Sequence, residues 1–429
     1  MFATSIDRRS PWGAVAVVTL AAAFIAWPSS TPPAAGNGGG TLVVRGGTLV
    51  DGTGGEPLAD ATLVVRDGRV TEVATRGAAS LGAAEGIDAR GKWIVPGLID
   101  MHVHYHPGWM DPLFLRHGVT TVRDVGSRLD TILALRDENR TPGVARPRLF
   151  ACGPLIDGPS PRHGTGISVS VQTVPEARAA ARRLLDRGVD CLKIYEQLTP
   201  PLVEAIVREA EGTRVPVTAH LRDTTALQAL EIGVRGLEHA LGFEACDETV
   251  AAQVVSRVVE RGAYVVPTLA ITEQISRLGS PGQETMALLG EIPPARREYW
   301  RARAAAASPD RTAGAARRLG CLKPFVARLQ RAGGQVVAGS DTSNPYVIPG
   351  ASLHRELELL VEAGLSPREA LAAATRTAAA VLGQAPTLGT LEVGKTADLV
   401  LLGADPVASI TAIRQVEIVI RDGRVVWRR

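Results

Sequence analysis

The sequence predicts an α/β protein: a (β/α)8 TIM barrel with a small β-sandwich domain formed by both termini. Three observations predict it. Short apolar runs alternate with helical stretches through the middle of the chain. Runs rich in β-branched residues, joined by tight turns, occur at both ends. Side chains of the metal-ligating type recur where the central apolar runs stop. Strand–helix alternation implies a parallel sheet, and eight such units close a barrel whose site lies at the strand ends.

The first β-rich region covers 41–54, 61–73 and 91–97, and the last covers 397–402 and 416–427. Asp67-Gly68 and Asp422-Gly423 each lie between two such runs, the dipeptide that favours a tight hairpin. Eight central strands are expected. The first carries His102 and His104, and the others lie at 120–125, 148–153, 191–195, 215–220, 235–240, 263–269 and 335–341. Helices are expected at 175–188, 199–212, 224–233 and 352–364. The domain reading is therefore 41–97 and 386–429 for the two parts of the sandwich, with 98–385 for the barrel.

Residues 1–40 read differently. Arg8 and Arg9 precede an uncharged apolar run, 12–27, and then "PSSTPPAAGNGGG", which cannot pack a core. A basic start, a short apolar run and small residues describe an export signal, with cleavage between Ala26 and Ala35. An uncleaved membrane anchor plus flexible linker is the alternative. Export predicts a periplasmic or extracellular protein, touching a membrane only through this segment.

Composition excludes some functions. The chain has 429 residues, 47 basic against 44 acidic, a net charge of +3. That balance gives no reason to expect a nucleic acid, and few aromatics are present to stack on bases. A homo-oligomer is compatible with this composition. Cys152, Cys191, Cys246 and Cys321 show no CxxC spacing, so four buried thiols are expected, with disulfides of unspecified pairing permitted if the protein is exported.

The strand ends carry the chemistry. His102 and His104 alternate, so they share one side of a strand. The fourth strand carries Lys193. The fifth ends in His220, the sixth in His239 and the eighth in Asp341. Imidazole and carboxylate are common zinc ligands. One such histidine alone is more often structural, but this many coincident strand ends are not. His106, one alternation further, is read either as facing substrate or as a surface imidazole. The stretch 277–320 carries Arg296, Arg297, Arg301, Arg303, Arg311, Arg317 and Arg318. It is read as a solvated helical face, with a lid meeting a substrate carboxylate as the alternative.

The sequence resembles the amidohydrolase superfamily of metal-dependent hydrolases. The carriers are "DMHVH" (100–104), "LKI" (192–194), "TAH" (218–220), "EHA" (238–240) and "GSD" (339–341), with "HGVTTVRDVG" (117–126) and "LEVGKTADLVLL" (391–402). In detail it is similar to the prolidase-like branch related to imidazolonepropionase. The resemblance implies a binuclear site with two divalent ions, expected to be zinc. One ion would take His102, His104, Lys193 and Asp341. The other would take Lys193, His220 and His239. It further implies carbon dioxide bound to Lys193 as a carbamate, a metal-bridging hydroxide, and Asp341 as catalytic general acid/base. Without carboxylation, Lys193 would place a costly charge inside the barrel. Tyr195, two residues on, is read either as a stabiliser of the developing oxyanion or as a packed aromatic.

Amide hydrolysis of a dipeptide, Xaa-Pro among them, or of an N-acyl amino acid is the expected reaction. Cyclic amides are an alternative. Mononuclear deaminases of the same superfamily place a glutamate three residues after a ligating histidine. Here those positions are Asp223 and Gly242. A non-catalytic exported metal- or ligand-binding relative would not need Asp341.

Overall fold

A computed structural model describes residues 40–75, 85–141, 143–164, 166–280 and 282–429. The export segment expected over 1–40 thus lies, apart from Gly40, outside the described residues. Among those described, no helix is long and apolar enough to cross a membrane.

The fold is mixed α/β with parallel sheets. Leu98–Val103, Val119–Asp124 and Arg148–Ala151 pair in parallel. A second parallel sheet runs from Leu192–Ile194 through Val217–Ala219, Gly236–Glu238 and Tyr264–Val266 to Gln335–Val336. Leu155–Asp157 and Ser168–Ser170 extend it on the other side and were not foreseen. Backbone bonds also link the two sheets. Met101 N donates to Ala338 O (3.1 Å), and Asp341 N to His102 O (2.8 Å). At the other edge Asp190 N donates to Ala151 O (2.8 Å).

All eight expected strands are present in the expected order, but they are shorter. The ladder stops at Ala219, Glu238 and Val336, so His220, His239 and Asp341 stand just beyond it. Two of the three leave the extended region there: φ is 59° at His239 and 61° at Asp341. Left-handed conformations at non-glycine residues are costly and cluster at functional sites. Gly339 shows why "GSD" begins as it does. A Cβ there would lie 2.9 Å from His102 Cβ and 2.6 Å from Val266 Cγ1.

The helices Val174–Asp186, Pro200–Ala210, Ala226–Ile232 and Ala351–Glu362 match expectation. Their buried faces carry Ala181, Leu184, Val203, Ile206, Leu230, Leu357 and Leu360 into one core with the strands. The strands of both termini join in a single sheet. Trp93–Pro96 pairs with Leu399–Leu402, and Val416–Arg421 continues from it. Asp67-Gly68 and Asp422-Gly423 form the expected hairpin turns, all four residues with positive φ.

The cysteine expectation is corrected. Cys152 bonds Cys191, and Cys246 bonds Cys321. The pairs are separated by 39 and 75 residues, so only the packing of distant elements reveals them.

Candidate active site

The expected strand-end residues converge. A row of rings runs His104, His102, His239, His220, Tyr195, His163, with successive centroids 5.8, 4.5, 4.8, 4.4 and 5.3 Å apart. Asp341 reaches three of the imidazoles. Its Oδ1 lies 3.5 Å from His102 Nε2 and 3.4 Å from His104 Nε2, and its Oδ2 lies 3.8 Å from His239 Nδ1. His102, His104 and Asp341 offer ligand atoms all within 4.8 Å of one another.

Lys193 lies on the middle of Leu192–Ile194 and is 1% exposed. Its Nζ has no hydrogen-bond partner among the described residues. Its charge acts on His102, His104, His220 and His239 alike. Burial pushes its pKa down to about 8, partly opposed by Glu238 and assisted by Arg123. A neutral amine is then more accessible near neutral pH than on an ordinary exposed lysine.

The imidazoles are held mostly uncharged, as metal ligation requires. Burial lowers His102, His220 and His239, and neighbouring positive charges add to that. At His104 burial acts the same way, but the bond to Asp341 and its charge prevail and raise it. Burial would raise Asp341, yet the surrounding histidines lower it. A buried unpartnered amine beside four imidazoles and a carboxylate is a donor set that fits divalent metal.

A supporting layer was not foreseen. Glu238 Oε2 holds His102 Nδ1 at 2.7 Å, while its Oε1 accepts from Arg123 (2.6 Å) and from Thr218. Arg123 also donates to Met101 O (2.8 Å) and Tyr264 Oη (2.7 Å). Thr268 Oγ1 lies 2.7 Å from His239 Nδ1. Asp100 accepts from Ser340 N (2.9 Å) and Oγ (2.6 Å). The signal was present: "VRDV" and "LEHA" each put a charge inside an apolar strand, the same cost that singled out Lys193.

Tyr195 faces the row of rings rather than the core, and its Oη lies 3.2 Å from His163 Nε2. Glu196 beside it accepts from Arg162 (2.8 Å) and Arg222 (2.6 Å) and lies 3.5 Å from His220 Nε2. His106 stands outside the ring row with an exposed side chain, within reach of the Arg296 charge.

The solvated-face reading of 277–320 is corrected in part. Trp300 is fully buried among Leu113, Ile271, Ile292 and Tyr346, which fixes the helix Pro294–Ala305 to the body. Arg318 on Pro309–Arg331 donates to His239 O and Ala240 O, both at 2.8 Å. Arg301 and Arg317 do face solvent.

The amidohydrolase family model matches residues 93–426. The chain belongs to the amidohydrolase family. A putative prolidase from Bifidobacterium longum superposes with a TM-score of 0.75 at 29% identity, covering 91% of this chain and 95% of that one. An imidazolonepropionase of Mesorhizobium japonicum is 28% identical over 82% of this chain and 89% of its own length. An uncharacterised protein of Mycobacterium tuberculosis is 32% identical over 46% of this chain. That match spans 32% of the mycobacterial protein, about a third of its length.

Proposed function

We propose that the protein is an exported binuclear hydrolase cleaving the amide bond of a dipeptide or N-acyl amino acid. The carrying observation is Lys193 Nζ, buried without a partner beside four imidazoles. Carboxylation of that amine would turn an orphaned donor into two acceptor oxygens. His102, His104, Asp341 and the Lys193 carbamate would hold one zinc ion, and the carbamate, His220 and His239 the other. When bound, the ions polarise the scissile carbonyl and acidify water near neutral pH.

The chain's own groups do the rest. Asp341 accepts the proton of the attacking water and delivers it to the leaving nitrogen as the C–N bond breaks. The products are a carboxylate and an amine. The Tyr195 hydroxyl donates to the developing oxyanion. Glu238 fixes the tautomer and orientation of His102, as carboxylates behind ligating histidines do.

A carboxylate-bearing substrate fits the charges around the mouth. Arg162 donates to Glu196, and Arg222 divides its donors between Glu196 and Asp223. Over 292–320 the sequence holds seven arginines against two acids, Glu298 and Asp310. The likeness to a putative prolidase supports a dipeptide. The likeness to an imidazolonepropionase supports cyclic amides as the second reading. The two sheets and their linking bonds support closure into an eight-unit barrel, and the shared terminal sheet supports a sandwich curled from it. Two disulfides support an oxidising compartment.

The test is a screen of Xaa-Pro and other dipeptides, N-acyl amino acids and cyclic amides, with zinc measured on the same sample. Dipeptide or N-acyl turnover at about two zinc per chain is expected. Turnover of cyclic amides alone moves the assignment to the second reading, and full activity at one zinc sinks the binuclear site. Sequencing the N-terminus of protein recovered from its native cells tests export. The mature chain is expected to start after Ala26.

A further inference from the structure

His239 opens the loop that joins the strand Gly236–Glu238 to the helix Glu248–Glu260. One face of the helix Pro309–Arg331 meets that loop repeatedly. Arg318, Cys321, Phe325 and Arg328 recur at spacings of three and four, so they lie along one side. Arg318 bonds His239 O and Ala240 O. Cys321 is bonded to Cys246. Phe325 packs on Phe243 with centroids 4.9 Å apart. Arg328 donates to Glu248 O at 2.9 Å.

The contacts fall where the loop is hardest to hold. His239 and Ala240 are consecutive non-glycine residues at φ 59° and 48°. Such a pair persists only where its surroundings over-determine it. On one side Thr268 fixes the His239 ring through Nδ1, leaving Nε2 for a ligand. On the other side, a single guanidinium nitrogen bridges both strained carbonyls. Arg318 is itself partly buried, and Glu244 is the acid whose charge reaches it.

We propose that this helix face is a template for the His239 loop, with Arg318 as positioning residue for His239. Through it, the helix sets affinity for the ion held by His220 and His239, and leaves the ion held by His102, His104 and Asp341 largely untouched. The Cys246–Cys321 disulfide keeps the template in register. This rests on the two-ion reading above. It also gives the arginine-rich insertion a role inside the site that substrate binding does not require.

The test measures zinc release to a chromophoric chelator from the zinc-loaded wild type, Arg318→Ala, Arg318→Lys and the double variant Cys246→Ala/Cys321→Ala. Arg182→Ala, which breaks an exposed ion pair with Glu209, is the control. Wild type should release two ions in two similar phases. Arg318→Ala should release one of the two about 10- to 100-fold faster, the range for lost outer partners of a metal ligand. The other phase should stay as in wild type. Arg318→Lys should lie between, because an ammonium donates without the planar fork. The double cysteine variant should shift the same phase by less. Turnover of Arg318→Ala should recover when free zinc is raised, which a general folding defect would not do. Melting of the metal-free proteins provides the second measurement. If Arg318→Ala lowers that melting point while both release phases match wild type, the arginine is only structural and the inference falls. A wild type that holds one ion overturns the two-ion reading and this inference with it. Two ions with unchanged release in Arg318→Ala overturn the inference alone.

Discussion

The buried floor of the site, around Arg123, Lys193 and Glu238, and its mouth, the arginine-rich stretch 292–320 that touches His239 through Arg318, are both rich in charge, but they treat it in opposite ways. At the floor most charges meet a partner. Arg123 and Glu238 pair at 2.6 Å with almost no exposure, and Glu238 also holds His102. Lys193 stands apart, since its Nζ has no hydrogen-bond partner among the described residues. At the mouth, arginines outnumber acids, and Arg318 spends its donors on backbone carbonyls instead of a carboxylate. The floor is preorganised, so its unmatched group marks where chemistry is missing. The mouth carries a standing positive surplus, which suits an anionic ligand arriving from water.

The contrast breaks most sharply at Lys193. Lys193→Ala should lose zinc and bring turnover to background, and short carboxylic acids should restore part of both. Zinc content and turnover measured with and without added acetate or propionate check this. Retained zinc at full turnover would place the lysine outside the site. Asp341→Asn comes next. It should keep most of its metal and lose about 10²–10⁴ in rate, the share of a general acid–base group. Near-normal turnover at full occupancy would remove Asp341 from the proton path.

Glu238→Ala tests whether the floor depends on matched charge. It strands Arg123 in the interior and should destabilise by about 3–5 kcal/mol, as breaking one side of a buried pair does. Urea unfolding of the metal-free protein measures it. A loss under about 1 kcal/mol would mean that the pair is not what organises the floor.

Glu356, on the buried side of Ala351–Glu362, sharpens the comparison through pH. Burial pushes its carboxyl up to about 8, opposed by bonds from the Leu269 and Ala270 backbone. The folded state therefore keeps it protonated while the unfolded chain ionises near the ordinary glutamate value. The wild type loses stability as pH rises from about 4.5 to about 8, and the loss is complete above that. Glu356→Gln should gain on wild type progressively over that window, with the largest gap near pH 8 and nearly none at pH 4.5. A gap that stays flat between unfolding curves at pH 5 and 8.5 would contradict the shift. The smallest effect belongs to the mouth. Arg296→Ala should raise KM for a carboxylate substrate about two- to fivefold at low salt, with kcat unchanged, and the difference should fade at high salt.

How much could be read beforehand varied with the range of the interaction. Periodicity and turn dipeptides located the eight central strands and both hairpins, because each depends on residues near in sequence. His102, His104, Lys193, His220, His239 and Asp341 were legible for the same reason, as polar residues ending or interrupting apolar runs. Glu238 and Arg123 were written in the same code but lay inside quoted strands and were passed over. The disulfides and the grip of Arg318 on His239 were not legible.

The sequence by itself determined the order of strands and helices, the separation of β-rich termini from the α/β middle, and which side chains stand at strand ends. Local backbone preference and side-chain alternation suffice for that. Only the tertiary structure decided that Glu238 serves His102, that Cys246 meets Cys321, and that an arginine 79 residues beyond His239 holds its carbonyl. Those choices depend on which surfaces remain close once the core is packed, and no pattern of neighbours along the chain encodes that distance.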